Sequence, residues 1–395
     1  MYRTIRLYGS KIINIVRLSS FLRIRTLCVL FIQLIRDFFY FHFKECCFFE
    51  NQKIDSIRRW MDEHYCDMVP ATFPSLQEKS NNDPVWIFWY QGETAMPEIV
   101  KICYNSIVSN IHDRPVHLLT KDNIASHVTL PNYIYDRLNR GELSYTHFSD
   151  ILRICLLFDK GGIWMDSTLL ITDSISIPAP DYFHSIKIVT GSNTTISAYR
   201  WATFFLASTH GNPAFGTIQS IFLKYLQEYN KMIDYLLIDY IFDLIYRKND
   251  SFRRSVDTMP YTSPYLHQLL SEMNQPYDAE KFDRIKQETT VFKLNHRLSY
   301  YETADGKETL YGYWFSRERL VRYPASLMVN YIFPCLCNAS MKKQVKVATI
   351  YTVSAHTPTL RCTEFSSSYL VIILLYLFLK KNLPHSNAIK LPSMI

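Results

Sequence analysis

Ser149-Asp150-Ile151-Leu152-Arg153, then Gly161-Gly162-Ile163-Trp164-Met165-Asp166-Ser167-Thr168, is the stretch on which the fold reading turns. Phe148, Ile151, Leu152, Cys155 and Leu156 recur at i, i+3, i+4, i+7 and i+8, which predicts a helix over residues 145–158. Gly161 and Gly162 supply the turn that ends it. A short strand over 163–165 then closes at Asp166. Asp150 and Arg153 are helical neighbours flanked by Ile154 and Leu157. An isolated ion pair on a helix that is otherwise apolar suits the wall of a cleft, and it also suits a structural bridge. A carboxylate just past a strand's C-terminal end lies where open α/β sheets bind ligands. Taken alone, Asp166 reads equally well as a turn cap; the helix pair, double glycine, tryptophan and acid in sequence carry more than any one of them.

Working outward, Val85-Trp86-Ile87-Phe88-Trp89-Tyr90 is an unbroken apolar run between Pro84 and Gly92, as expected of a strand buried on both faces. Residues 97–109 and 131–139 read as helices, with a strand at Val116–Leu119 between them, and residues 169–172 continue the chain as a strand. Further helices are expected over 213–229 and 232–246, the first capped by Asn212 with Pro213 in its opening position. Strands alternating with helices predict an α/β domain built on a mostly parallel sheet.

The charge of +7 is concentrated at one end. Up to Lys44 there are eight Lys/Arg and one acid, Asp37, so the remaining chain is balanced. A neutral body argues against a nucleic-acid-binding domain. Residues 1–75 are therefore expected to form a basic amphipathic helical arm lying on a membrane surface. Its apolar run at 27–35 is too short to span a bilayer and is a poor leader sequence. Residues 75–84 read as a linker, 80–330 as the main domain and 331–395 as a tail with a short apolar segment at 369–379. The nine cysteines form no CxxC pair, which suits a reducing compartment and disfavours structural zinc.

The central stretch, Ser149-Asp150-x-Leu152-Arg153 … Gly161-Gly162-x-Trp164-x-Asp166, resembles the DxD-type sugar-binding motif of glycosyltransferases, and specifically the capsular polysaccharide synthesis protein family. Trp86-Ile87-Phe88-Trp89-Tyr90-Gln91-Gly92 and the segment from Ile233 to Tyr240 resemble flanking parts of that family. The resemblance covers roughly residues 80–300 and implies a GT-A (Rossmann-like) nucleotide-diphospho-sugar transferase fold. It also implies transfer of a hexose with retained configuration, from a UDP-linked donor to a surface polysaccharide or lipid-linked glycan, at the cytoplasmic face of the cell membrane. Tyr90, Gln91 and Gly92 would lie beside the base; Asp150 and Arg153 would hold sugar and phosphates; Trp164 would flank the nucleotide; Asp166 would contact the ribose or a metal.

In the usual motif a second acid stands two residues after the first, and here that place is taken by Thr168. A hydroxyl is a weak, neutral ligand for Mn2+ or Mg2+. A divalent metal is still expected, held by Asp166, Thr168 and His296, in the later segment Lys293-Leu294-Asn295-His296-Arg297. Lys293 would neutralise the leaving diphosphate or complete the metal shell. Asp239 is a candidate nucleophile or positioning group on the acceptor side, while Asp243 reads as structural. The change at Thr168 also leaves room for a catalytically impaired, membrane-docked scaffold of a polysaccharide-assembly complex.

Overall fold

In the computed structural model the described residues are 2–40, 48–74, 83–175, 183–188 and 195–322. Contacts divide the chain into two units, Met1–Trp314 and Phe315–Ile395. Of the second, only the end of one helix, up to Arg322, is described. The linker core at 75–82 and the apolar segment at 369–379 lie outside the described residues.

The elements run α1 (Tyr2–Leu18), α2 (Ile24–Tyr40), α3 (Phe48–Tyr65), β1 (Val85–Phe88), α4 (Glu98–Asn110), β2 (Val116–Leu119), α5 (Ile124–His127), α6 (Asn132–Asn139) and α7 (Tyr145–Lys160). They continue with β3 (Gly162–Met165), β4 (Leu169–Ile171), β5 (His184–Ser185), β6 (Phe205–Ser208), α8 (Pro213–Glu228), α9 (Leu237–Lys248), α10 (Asp250–Thr258), α11 (Gln268–Glu272) and α12 (Ala279–Glu288). Last come β7 (Val291–Lys293), the hairpin β8 (Thr303–Ala304) and β9 (Lys307–Glu308), and α13 (Leu310–Arg322).

The central sheet has the order β2-β1-β3-β6-β5. β1 pairs in parallel with both β2 and β3, whereas β6 is antiparallel to β3 and to β5. Four of the five strands thus share one direction, the mostly parallel α/β arrangement expected from the alternation of elements. The reversed strand, β6, was not anticipated: Phe205-Leu206-Ala207-Ser208 is short, and its strand state comes from pairing with β3.

Alternate residues of each strand feed opposite faces. Trp86, Phe88, Trp164 and Leu206 join one core with Leu152 of α7, Phe215 of α8 and Phe242 of α9. Val85, Ile87, Ile163, Met165 and Ala207 join the other with Ile107 of α4, Leu169, Ile171 and Val291. Two glycines permit the close seam. Gly162 has φ +101°, and a Cβ there would stand 2.4 Å from the Pro84 carbonyl oxygen and 2.7 Å from Trp86 Nε1. Gly161 has φ +69°, and its carbonyl accepts from Trp86 Nε1 at 2.9 Å.

The separate arm expected over residues 1–75 is corrected by α3, which is part of the body. Its Trp60, Met61 and Tyr65 are buried in the main core, with Trp60 edge-on to Tyr225 of α8. Arg58 of α3, Arg200 and Arg247 converge on the buried Asp243 carboxylate at 2.9, 2.9 and 2.8 Å. Burial opposes ionisation of Asp243, but the three guanidinium groups outweigh it and hold the carboxyl below its ordinary range. The structural role expected of Asp243 is thereby accounted for. The helix expected over 232–246 begins only at Leu237, because Asp234 Oδ1 accepts from the Leu236 amide at 2.9 Å and fixes a turn there.

No helix among the described residues is long and apolar enough to cross a membrane. α1 and α2 nevertheless expose Ile12, Ile13, Val16, Ile24, Phe31, Ile32 and Ile35.

Candidate active site

The parallel pairing of β1 with β3 brings their C-terminal ends together. Trp89, Tyr90 and Gln91 follow β1, and Asp166, Ser167 and Thr168 follow β3, on one rim of the sheet. A cleft of about 670 Å³ opens there. Its walls also take Tyr145, Ser149 and Arg153 from α7, and the segment from Lys293 to Arg297.

α7 starts cleanly because Ser144 Oγ accepts from the His147 amide at its N-cap. Its register sends Arg153 into the cleft wall. Arg153 Nη2 reaches Asp150 Oδ1 at 3.0 Å and Asp166 Oδ1 at 3.5 Å, and the guanidinium lies 5.2 Å from the Trp164 ring centroid. Trp164 Nε1 donates to Asp166 Oδ1 at 3.0 Å. The helix pair, tryptophan and acid of the central stretch are therefore in direct contact.

Lys293 closes the other side. β7 pairs antiparallel with β4, setting Lys293 opposite Leu169, and the Leu294 amide donates to the Thr168 carbonyl at 2.9 Å. Lys293 Nζ lies 3.0 Å from Asp166 Oδ2 and donates to Thr168 Oγ1. Burial raises the cost of charging Asp166, but Lys293, Arg153 and the Trp164 indole outweigh it, so the carboxyl is held below its ordinary range.

The two other acids behave differently. Asp150 is buried and stands off the cleft surface; burial, opposed by Arg153, pushes its carboxyl up to about 7. Asp239 is also buried behind the wall, where Trp201 Nε1 donates to its Oδ1 at 2.9 Å, and burial pushes it up to about 6. The acceptor-side position expected for Asp239 is thus replaced by an internal one: its contact is an indole in the core. Gly92 likewise lies just outside the lining residues, its φ of +88° turning the chain after Gln91.

His296 lines the cleft, edge-on to Trp89 with ring centroids 5.5 Å apart; burial and the neighbouring Arg297 and Lys293 hold its imidazole pKa down. Asp166, Thr168 and His296 all line the cleft, where they offer one carboxylate, one hydroxyl and one imidazole. Among the described residues no group of three or more His, Cys, Asp or Glu side chains is placed to hold a metal ion. Asp166 presents one carboxylate whose two oxygens already face Arg153 and Lys293. The donor set does not fit a divalent cation.

Sequence reading missed Tyr145, Tyr235 and His267 of the lining. Tyr145 and Tyr235 are 50% and 51% exposed, an apolar ring surface at the mouth of a polar cleft. Tyr145 opens α7 and was legible as a position; Tyr235 depends on the turn fixed by Asp234, which has no periodic signal.

A mixed α/β sheet with a charged cleft at the carboxyl ends of its parallel strands defines a ligand-binding α/β protein of the switch-point kind. The chain belongs to the capsular polysaccharide synthesis protein family, whose model matches residues 38–314. It is also similar to the O-glycosyltransferase braB of Annulohypoxylon truncatum, 30% identical over 122 residues. That match takes in 29% of this chain and 28% of the relative, so the chain spans well under a third of that protein's length. Among solved structures it resembles a PaToxG glycosyltransferase at 13% identity and a TM-score of 0.35, over 61% of this chain and 94% of the other.

Proposed function

We propose that this protein is a glycosyltransferase that takes a sugar from a nucleoside diphosphate sugar. The observation that carries the reading is the contact between Arg153 and Asp166 on the wall of the cleft, two charged groups delivered by different elements to the carboxyl rim of the sheet. Family membership and the stretch shared with an O-glycosyltransferase support the same class. In this reading the C1–O bond to the β-phosphate breaks with its electron pair leaving on the diphosphate. The acceptor hydroxyl oxygen forms the new bond to C1, and its proton goes to the departing phosphate oxygen. Charge grows on the diphosphate as the bond breaks, so a fixed guanidinium beside it favours the transition state over the bound donor. Tyr90 and Gln91 stand at the base end of the cleft, and Asp166, kept ionised, orients Arg153 and accepts from donor hydroxyls. Tyr145 and Tyr235 offer ring faces to the acceptor.

The resemblance in sequence supports a UDP-linked hexose, retention of configuration and a polysaccharide or lipid-linked acceptor. The reading includes a membrane surface as a partner. The stripe Ile24, Cys28, Phe31, Ile32 and Ile35 on α2 is exposed at i, i+4, i+7, i+8 and i+11, with exposed Arg23, Arg25 and Arg36 beside it. Apolar and cationic side chains together suit an anionic bilayer interface, as at the inner face of a cell membrane.

Incubating the full chain with a panel of nucleotide sugars and measuring released nucleoside diphosphate tests the activity. Turnover is expected with at least one donor and is expected to vanish in Asp166→Ala while circular dichroism stays unchanged. Full turnover in Asp166→Ala refutes this site, and a folded protein that hydrolyses and transfers from no donor favours the scaffold role.

A further inference from the structure

The position that Thr168 leaves without a carboxylate is filled by a cation of the chain itself. Lys293 Nζ bridges Asp166 Oδ2, at 3.0 Å, and Thr168 Oγ1. Its backbone is fixed on both sides, by the β4 pairing and by the Lys293 amide N–H, which donates to the Leu266 carbonyl at 2.8 Å. The Phe204 ring lies 5.0 Å from the ammonium and the Lys293 side chain is only 20% exposed, so the charge is held in place at the cleft wall. Asp166 Oδ1 is taken by the Trp164 indole and faces Arg153. A divalent ion at this acid would meet two positive side chains and one neutral hydroxyl, with a single carboxylate to hold it. A diphosphate, by contrast, would meet two fixed cations 3.0 and 3.5 Å from the same carboxylate, already desolvated and oriented.

We propose that Lys293, seated on Asp166 and Thr168, is the cation that meets the donor's diphosphate in the place of a metal ion, so that this site binds and releases nucleoside diphosphate without a divalent cation. The proposal rests on the reading of the cleft as a nucleoside-diphosphate-sugar site.

The test is calorimetry of UDP and GDP binding to the full chain, in EDTA and in Mn2+, with four proteins: the natural chain, Lys293→Met, Lys293→Arg, and the double variant Thr168→Asp with Lys293→Met. For the natural chain, the dissociation constant of whichever nucleotide binds is expected to agree within about threefold between EDTA and Mn2+. Lys293→Met is expected to weaken binding in EDTA by about tenfold or more, the loss of one charge-assisted hydrogen bond to an anion, and Lys293→Arg to retain most of it. The double variant restores an Asp-x-Asp pair and is expected to regain binding only in Mn2+. Binding by the natural chain that appears only with Mn2+ overturns the proposal and leaves the donor-site reading standing. This comparison needs no variant to fold. Failure to bind either nucleotide in both buffers, with no donor in the sugar panel turned over, overturns both.

Discussion

The Trp164 indole nitrogen donates to Asp166 Oδ1 at 3.0 Å while the Arg153 guanidinium lies 5.2 Å from the same indole ring. One tryptophan thus orients the acid along its edge and the cation over its face. Trp164→Phe keeps the ring and removes the donor. The Asp166 carboxyl pKa is then expected to rise, since one of the groups holding it down is gone. Nucleoside diphosphate binding is expected to weaken by about three- to tenfold, from loss of one hydrogen bond to a charged group. Calorimetry checks the affinity and a thermal melt checks that the core survives; unchanged binding removes the indole from the site's electrostatics.

Asp150 makes stability depend on pH. Its folded carboxyl keeps its proton up to about 7, whereas the unfolded chain gives it up near the ordinary carboxylate value. Between those values the folded state binds more protons, so its contribution to stability falls as pH rises, at up to about 1.4 kcal/mol per pH unit. Asp150→Asn still offers Arg153 an acceptor and removes the titration. Its unfolding free energy, measured by denaturant titration between pH 4.5 and 7.5 (a window of roughly three units), is expected to have a flatter pH slope than the natural chain. Parallel slopes would show that this acid does not titrate there.

Gly162→Ala is expected to destabilise strongly. Its φ of +101° disfavours a side chain, and the added Cβ meets the Pro84 carbonyl at 2.4 Å, a backbone atom that cannot swing away. The cost is expected to be about 3 kcal/mol, with loss of soluble yield. Gly141→Ala has a similar φ, +71°, with nothing within 4 Å, so it isolates the backbone cost from the clash. Equal melting temperatures for the two variants would count against the tight seam between β1 and β3.

Asp243→Asn tests whether α3 belongs to the body. Three guanidinium groups lose their buried counter-charge at once, a change expected to cost about 3–5 kcal/mol. Arg58→Ala removes one contact at the more exposed side and is expected to cost less. Protease digestion should then release the N-terminal segment through α3 from the Asp243→Asn protein before the rest is cut. A variant as stable as the natural chain would mean that the three-arginine cluster ties nothing together.

Phe31 and Ile32 are 50% and 55% exposed, so changing them leaves the core intact. Phe31→Ser with Ile32→Ser is expected to cut co-sedimentation with phosphatidylserine-containing vesicles by about tenfold or more. Vesicles of phosphatidylcholine alone should bind the natural chain weakly. Equal binding of the double variant to the anionic vesicles would reject the α2 face as the membrane contact.

The parts legible in the sequence are those written in local periodicity. The stripe from Phe148 to Leu156 defines α7, the run from Val85 to Phe88 defines β1, and the glycine turn into Trp164 and Asp166 defines β3. The grouping of Arg153, Trp164 and Asp166 follows from these, because all lie within a short stretch of chain. Lys293 was placed near the diphosphate by resemblance, and its bridge to Thr168 becomes visible only through the β4–β7 pairing. Reversed β6 carries no periodic mark in four residues, and the late start of α9 depends on one side-chain bond from Asp234. Asp239 reads from sequence as a candidate on the acceptor side, yet its carboxylate is taken up inside the core. The partner, Trp201, lies 38 positions away in the chain, which spacing alone cannot disclose.

The ammonium that neutralises Asp166 is separated from it by 127 positions. During synthesis the carboxylate, the glycine turn and the guanidinium leave the ribosome long before β7 does. A nascent or prematurely terminated chain ending ahead of residue 291 therefore lacks the wall from Lys293 to Arg297, and with it the ammonium seated on Asp166. The wall of the cleft is in this way completed only when nearly the whole body has been translated.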